Sequence, residues 1–346
     1  MIASERFFKF VTGLRVLAPL RTFLANWAVF GKFSSLSTHR FLMRDWERNE
    51  ALAKAVKDIV RPGDIVVDLG AGTGFLSVLA CKAGAKRVYA IERQGIADVA
   101  QRVAEANGVA DRIVLIRKSS LKVKLPEKAD VLISETLGHV GIDEDIVRYV
   151  SDGRRRFLKA GGKIIPSDIQ VLAVPVESNE DGPGLWDQKF CGVDYSPIVE
   201  GSFTAPMLVR LRSRNGFLSE PKELLQVDLY RDRSFTEETS AEFEVVRSGR
   251  LHGFLVFFRS SAAPGAVMTN EVAGNTCNWD QGFLPAHKTT PVVEGQRISL
   301  TVRFGGYLFP DWKWSYNVSG ESSQKGAVQH EGDTLGRSSS GSEAQT

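Results

Sequence analysis

The chain has 346 residues, of which 43% are hydrophobic and 25% are charged, and its formal net charge is +3. The length suits two domains, the composition is that of a soluble globular protein, and the small net charge gives no reason to expect a nucleic-acid partner. The three cysteines lie far apart without a CxxC pair. We therefore expect neither structural zinc nor a disulfide framework, and a reducing, cytoplasmic location.

The amino-terminal segment, residues 1–35, is predicted to form one or two amphipathic helices. Apolar residues dominate from Phe7 to Phe30, but basic residues interrupt them, so no run approaches the ~20 residues of a membrane span. The segment also lacks the cleavage site of a secretory signal. Two interpretations remain open: packing on the protein's own surface or on a second subunit, which we favour, and weak peripheral membrane contact by residues 5–30.

Residues 36–165 alternate short apolar strands with helices. The predicted strands are 64–69, 87–91, 113–117, 129–134 and 163–165, and the predicted helices are 73–84, 95–107 and 146–158. This alternation predicts a mostly parallel sheet with helices on both faces.

Residues 166–320 show strand patterns separated by turn residues. The clearest are 171–176, 224–230, 241–247, 253–259, 297–303 and 312–318. Several of them alternate apolar and polar residues, which is typical of an antiparallel barrel or sandwich. Residues 321–346 are rich in Ser, Gly, Glu and Gln, so we expect a disordered tail.

A glycine-rich loop, Asp68-Leu-Gly70-Ala-Gly72-Thr-Gly74, follows the first predicted strand and opens the first helix. Its glycines permit a tight turn and a close approach of ligand to backbone. The third glycine of a dinucleotide fingerprint would stand at position 75, which is Phe75, and a pyrophosphate loop gains nothing from the Asp68 carboxylate. The loop therefore favours a cationic ligand without phosphate, such as S-adenosyl-L-methionine.

Glu92 comes directly after the second predicted strand, 24 residues after Asp68. A carboxylate at that place can accept hydrogen bonds from the two hydroxyl groups of a ribose. The alternative is a solvated carboxylate at a strand end. The order of strand, loop and helix favours the ribose contact.

Two carboxylates, Glu135 and Glu144, lie in the loop after the fourth predicted strand, with Gly138 and Gly141 between them. Ligands of such sheets bind beyond the carboxyl ends of the strands, so Glu135 should face the methyl end of the cofactor. Two converging carboxylates suit a guanidinium, which is planar, always charged and rich in donors. Alternatively, Glu144 only caps the next helix; the spacing leaves both readings open.

These motifs together resemble those of the protein arginine methyltransferases. VVDLGAGTGFLSVLACKAGAKRVYAIE resembles the cofactor loop and ribose-binding strand of that family, and ISETLGHVGIDE resembles its two-glutamate hairpin. THRFLMRDWERN resembles the helix that folds over the cofactor, and FLKAGGKIIPS the join into the second domain. The resemblance covers residues 36–318.

The resemblance implies an α/β fold: a Rossmann-like class I methyltransferase domain, dependent on S-adenosyl-L-methionine, followed by an antiparallel β-barrel domain. It implies that His39 and Arg48 contact the cofactor, with Arg48 holding the methionine carboxylate. Ser119 and Ser120 occupy the stretch in which the family often has an acid for the adenine amino group; here a backbone carbonyl is the expected substitute.

A helical arm inserted in the barrel, which usually makes a homodimer, is also implied. Residues 196–222 match that segment, and apolar residues such as Leu208, Val209 and Phe217 would suit a partner surface.

Three departures from the family pattern concern the substrate end. Thr136 and Leu137 replace the usual Trp-Met pair after the first glutamate, and His139 stands where an aromatic residue such as Tyr is common. In the barrel loop, Asn278 replaces the histidine of a Thr-His-Trp motif. Because an amide cannot hand on a proton as an imidazole does, a proton relay at this loop is in doubt.

The sequence therefore predicts an N-methyltransferase that acts on arginine, in a protein or in a small guanidino compound. One rival is a methyltransferase acting on another side chain or small molecule, and the other is a catalytically silent binding protein. The presence of Glu92, Glu135 and Glu144 argues against the silent protein. No HExxH or related spacing occurs, so no metal is expected.

Overall fold

The structure is a computed structural model, and it describes residues 35–178, 189–195, 197, 205–231, 238–272, 278–304 and 312–319. The predicted amino-terminal helices, the tail, Cys277 and residues 196 and 198–204 of the predicted arm lie outside these ranges. No helix among the described residues is long and apolar enough to cross a membrane.

A five-stranded parallel sheet forms the first half of the described chain. Its strands are β1 (Ile65–Leu69), β2 (Arg87–Ile91), β3 (Ile113–Ile116), β4 (Ala129–Ile133) and β5 (Leu158–Ile165), in the order β3-β2-β1-β4-β5. The helices are α1 (Leu36–Arg44), α2 (Trp46–Ile59), α3 (Phe75–Lys82), α4 (Ala97–Ala106) and α5 (Ile146–Phe157). The strand order reverses direction beside β1, which places a crevice at the carboxyl ends of β1 and β4.

Antiparallel sheets form the second half. The larger has the order β10-β6-β12-β14-β9, with β13 paired to β12, and a second sheet has the order β11-β15-β16. Their bounds are β6 (Asp168–Val176), β9 (Met207–Val209), β10 (Lys222–Asp228), β11 (Glu238–Glu244), β12 (Gly249–Ala263), β13 (Ala266–Thr269), β14 (Gln281–Val292), β15 (Arg297–Arg303) and β16 (Lys313–Val318). A short hairpin joins β7 (Lys189–Phe190) to β8 (Val193–Asp194).

The predicted fold class is confirmed, with a parallel sheet and helices followed by antiparallel sheets. The boundary of β5 differs: it begins at Leu158 instead of Lys163, and its pairing with β4 skips from Leu158 to Lys163. Gly161, at φ +76°, lies within this irregularity, so the glycines kink a strand instead of preceding it. The domain boundaries named above remain predictions.

The two halves share one hydrophobic core. Buried residues of β1 and β4 belong to the same cluster as buried residues of β12 and β15. Helix α2 packs against β12 and β13, and Lys54 Nζ donates a hydrogen bond to the carbonyl oxygen of Pro264 at 3.2 Å. This continuous packing holds the edge of the parallel sheet at a fixed distance from the barrel.

Candidate active site

A cavity of about 510 Å³ lies between the carboxyl ends of the parallel strands, helix α1 and the barrel. It is lined by most of the predicted site residues: His39, Arg48, Gly70, Gly72, Glu92, Ser119, Ser120, Glu135 and Glu144. Asp68 and Gly74 do not line it. The structure thus brings together residues that lie up to 105 positions apart in the sequence, between His39 and Glu144.

The glycine loop turns through three left-handed residues, with φ values of +75° at Gly70, +54° at Gly72 and +82° at Gly74. A side chain at Gly72 would place its Cβ 2.9 Å from His39 Cε1, which is too close. The observed contact between the loop and α1 therefore requires glycine at position 72, or a shift of the His39 side chain. Gly74 faces away from the cavity, with Ala100 of α4 3.1 Å from its virtual Cβ. Gly74 is therefore a helix-packing glycine.

The backbone amides of the loop are already used. The amides of Gly70 and Ala71 donate to the carbonyl oxygen of Ile91 at 2.9 and 3.1 Å, and the amide of Gly72 donates to Glu92 Oε2 at 3.0 Å. Loops that cradle phosphates need these amides free. The bonding therefore agrees with a ligand that carries no phosphate.

Asp68 lies beneath the loop. It is 1% exposed, and its Oδ2 accepts a hydrogen bond from Ser77 Oγ of α3 at 2.6 Å. Burial is the main cause that raises the pKa of Asp68 to about 6, and the Ser77 bond opposes it. Asp68 Oδ1 has no hydrogen-bond partner. The carboxyl thus ties β1 to α3 from below and does not face the cavity.

Glu92 points into the cavity from the end of β2. Its Oε1 accepts from the Gln94 amide at 2.7 Å, while its Oε2 accepts from Gly72. Each carboxylate oxygen can accept a second hydrogen bond, so Glu92 is fixed in place and still able to receive two hydroxyl donors.

Helix α1 covers the cavity. Thr38, His39, Leu42 and Met43 line it at helical spacing, whereas Phe41 on the other side of the helix is exposed. Ser35 caps the helix, since its Oγ accepts from the Ser37 amide at 3.1 Å.

Arg48 and Glu135 form an ion pair in the wall of the cavity, through Nη2 and Oε2. Both side chains are more than nine-tenths buried. Burial lowers the pKa of Arg48 to about 10, and the charges of Asp45 and Glu144 oppose that shift. Arg48 therefore stays cationic at neutral pH, but its buried Nε has no hydrogen-bond partner. One further hydrogen-bond acceptor, placed at Nε, would satisfy the Arg48 guanidinium.

The segment Glu135–Glu144 doubles back as predicted. Asp143 closes it, because its Oδ1 and Oδ2 accept from the amides of Val140 and His139 at 2.8 and 3.1 Å. Burial is the main cause that raises the pKa of this carboxyl, and these two backbone hydrogen bonds oppose the rise. A Cβ at Gly138 would stand 2.2 Å from Asp143 Oδ1, which explains the glycine. Glu135 and Glu144 consequently reach the same cavity.

Asp45 is a site residue that the sequence analysis missed. Its Oδ1 accepts from the Arg48 amide at 3.1 Å as the cap of α2, and its Oδ2 accepts from the Asn278 amide of the barrel loop at 2.8 Å. An aspartate just before a helical pattern is a recognisable cap, so the capping role of Asp45 could be predicted from the sequence. Its contact with Asn278 spans 233 positions and could not be predicted.

Ser119 and Ser120 line the cavity beyond β3. The carbonyl oxygen of Ser120 accepts from Arg156 Nη2 at 2.7 Å, and that of Val123 accepts from Arg156 Nη1 at 2.5 Å. Arg156 of α5 thus holds this loop from behind.

The predicted arm needs a correction. Its described residues form β9 and a 3₁₀ turn at Arg214–Gly216, and no α-helix occurs among them. Val209 and Phe217 are buried against Val176 and other residues of the larger antiparallel sheet, so they do not offer a partner surface. Leu208, at 46% exposed, still does. The physical reason is the pairing of β9 with β14, which turns alternate side chains inward.

Within the described ranges, no group of three or more His, Cys, Asp or Glu side chains is arranged to hold a metal ion.

Comparison with known proteins gives consistent results. Residues 51–171 match the family model of ribosomal protein L11 methyltransferase (PrmA). Among curated proteins, protein arginine N-methyltransferase 1.1 of Arabidopsis thaliana is 27% identical over 317 residues, covering 87% of this chain and 80% of the relative. Protein arginine N-methyltransferase 1 of Schizosaccharomyces pombe is 29% identical over 286 residues, covering 79% and 83%.

Solved structures show the same likeness. Protein arginine methyltransferase 10 of Arabidopsis thaliana, solved in an open conformation, is 25% identical with a TM-score of 0.69, covering 79% of this chain and 89% of the other. The Trypanosoma brucei PRMT1 enzyme-prozyme heterotetrameric complex with AdoHcy is 21% identical with a TM-score of 0.72, covering 84% and 95%.

Proposed function

The chain is a homologue of the protein arginine N-methyltransferases, and from this premise we propose that it transfers a methyl group from S-adenosyl-L-methionine to a guanidino nitrogen of arginine in a protein. One observation carries the proposal. Glu135 already binds a guanidinium, that of Arg48, inside a cavity that also presents Glu92 and Glu144. The wall is therefore chemically suited to a second guanidinium between Glu135 and Glu144.

The residues present fit the cofactor. The orphaned Nε of Arg48 is a buried donor that suits a carboxylate, and Glu92 retains acceptor capacity for two ribose hydroxyls. Ser119 and Ser120 would border the adenine, Gly70 and Gly72 would allow close approach, and His39 would cover the loop. Asp68 and Gly74 would shape the loop from behind. When bound, S-adenosyl-L-methionine would supply the methyl group of its sulfonium by direct displacement: the sulfur–carbon bond would break as the nitrogen–carbon bond forms, S-adenosyl-L-homocysteine would leave, and the methylated nitrogen would release one proton to solvent.

Glu135 and Glu144 would hold the substrate guanidinium by paired, charge-assisted hydrogen bonds. Two carboxylates on one side of the group draw its positive charge toward the nitrogens they contact, which leaves the remaining terminal nitrogen more nucleophilic. Acceleration would come from this orientation and from electrostatics, without a covalent intermediate on the protein.

A homodimer and a cytoplasmic location complete the proposal. Leu208 near the cavity mouth is an exposed apolar side chain of the arm segment, which supports a partner contact there. Light scattering on the purified chain tests the dimer, since a monomer mass at all concentrations would contradict it.

The test of the reaction uses purified protein and labelled S-adenosyl-L-methionine with arginine-rich peptides, free arginine and cell lysate, read by mass spectrometry. We expect methyl groups on arginine nitrogens of peptides or lysate proteins. Methyl groups on free arginine alone would favour the second candidate, a small guanidino substrate, for which Thr136 and Leu137 in the cavity wall are the supporting departure. Label on another atom would reject the guanidinium clamp.

A further inference from the structure

The segment Glu135–Glu144 is fastened to the barrel near its tip. Asn270, fully buried, donates from Nδ2 to the His139 carbonyl oxygen at 2.7 Å, and Trp279 Nε1 donates to the Leu137 carbonyl oxygen at 3.0 Å. The third bond involves a side chain of the segment itself: the Asp280 amide donates to His139 Nδ1 at 3.0 Å. His139 lies between the two glutamates, four positions after the first and five before the second.

The Asp280 bond fixes the state of the imidazole. A backbone N–H can only donate, so Nδ1 must carry a lone pair and the neutral ring must carry its proton on Nε2. Nδ1 is therefore committed to structure and is not free to take a proton from a substrate. Although Asn278 leaves the barrel loop without an imidazole, His139 does not replace it as a base at Nδ1.

We infer that His139 is a positioning residue: through Nδ1 it sets the segment Glu135–Glu144 at the distance from the barrel at which both glutamates reach one guanidinium. The inference rests on the proposed function. The glycine loop and Glu92 are independent of this bond, since they are fixed by β1 and β2, and only Arg48 is linked to the segment, through Glu135. Loss of the Nδ1 acceptor should therefore affect methyl transfer much more than cofactor binding.

Two variants of similar shape distinguish the loss of the hydrogen-bond acceptor at position 139 from the change in side-chain volume. His139→Asn keeps an amide oxygen near the place of Nδ1, whereas His139→Leu has the same branching without an acceptor. We expect His139→Leu to lower kcat by roughly tenfold or more, up to the roughly hundredfold loss that a misplacement of about 1 Å can cause, with a much smaller change in cofactor Kd. His139→Asn should restore most of the lost kcat.

Two outcomes would overturn the inference: a wild-type kcat in His139→Leu, or an equal loss in both variants. Measurements that need no activity keep it testable if a variant fails to fold or the wild type transfers no methyl group. Nitrogen NMR of the wild-type histidines should show His139 protonated on Nε2, and a proton on Nδ1 would refute it. Hydrogen exchange of residues 135–144 should quicken in His139→Leu and not in His139→Asn. If the wild type is inactive but shows these NMR and hydrogen-exchange results, the proposed function is rejected and the role of His139 in attaching the segment to the barrel is retained.

Discussion

The glycine loop and the two-glutamate segment border the same cavity but are built in opposite ways. The loop at Gly70–Gly74 is held by residues within about 20 positions along the chain: Ile91 at the end of β2, Glu92 just after it and, through Asp68, Ser77 of α3. The segment Glu135–Glu144 is held by barrel residues more than 130 positions away. The proposed cofactor side of the site is therefore held by contacts that are local in sequence, whereas the proposed substrate side depends on how the two halves of the chain pack.

Breaking the Arg48–Glu135 ion pair should have the largest effect on stability, because the pair joins α2 to the segment Glu135–Glu144. In Arg48→Met the buried Glu135 carboxylate loses its counter-charge, so we expect a loss of about 3–5 kcal/mol in the free energy of unfolding. Urea denaturation measures it. Adding Glu135→Gln to Arg48→Met should restore a large part of the loss, because no buried charge remains unpaired; an additive double variant would contradict the coupling.

Glu135→Gln alone tests the substrate side. An amide holds a guanidinium less well than a carboxylate, so we expect kcat to fall by about 10²–10³-fold, with cofactor affinity nearly retained. Steady-state kinetics and calorimetry measure the two quantities. The exposed Glu105→Gln serves as the control, and retained methyl transfer in Glu135→Gln would reject the clamp.

Asp68→Asn tests the buried carboxyl group that lies beneath the glycine loop. Burial raises the pKa of Asp68 from 3.8 to about 6, so the folded state binds the proton more tightly than the unfolded state. The resulting stabilisation is present below pH 4 and is lost as the pH rises to about 6, a change of about 2–3 kcal/mol. Asp68→Asn should remove this contribution and make the slope in chemical denaturation smaller, with the contribution of Asp143 remaining, while Asp111→Asn at an exposed position should leave the slope unchanged.

Gly72→Ala tests the contact between the loop and α1. Both Gly72 (φ +54°) and Gly108 (φ +66°) are left-handed, but only at Gly72 would a Cβ meet another residue, His39. Each Ala variant should lose about 1 kcal/mol of stability from backbone strain. Only Gly72→Ala should also weaken cofactor binding, by about tenfold, as calorimetry would show; equal affinities would place His39 outside the binding site.

The parallel half was predictable because its signals are local. The alternation of strands and helices, the glycine loop and Glu92 each depend on a few neighbouring residues. The structure has the predicted order of strands and helices, with an earlier start of β5, and Glu92 lines the cavity. What the sequence hid about the loop is orientation: Asp68 and Gly74 face away from the cavity, and no spacing rule distinguishes a ligand-facing glycine from a packing glycine.

The antiparallel half was harder to predict. Strand β14 was missed because Pro285 and Pro291 interrupt its pattern, and proline argues against an interior strand. Val209 and Phe217 suggested an outer surface but are covered by β14 and β6, which no local pattern reveals. The role of Asp45 could not be predicted for the same reason, because its contact with the barrel exists only after the two halves have packed.

Helix α1, described above as the cover of the cavity, also bears on how fast a ligand can leave. The helix has nine residues, a length that is marginal in isolation, and His39 is its buried anchor. We expect the opening of α1 to cost less free energy than the opening of the sheet below, so that a ligand would leave by fraying of α1. The residence time of a bound molecule would then follow the unwinding rate of α1 and respond to capping at Ser35.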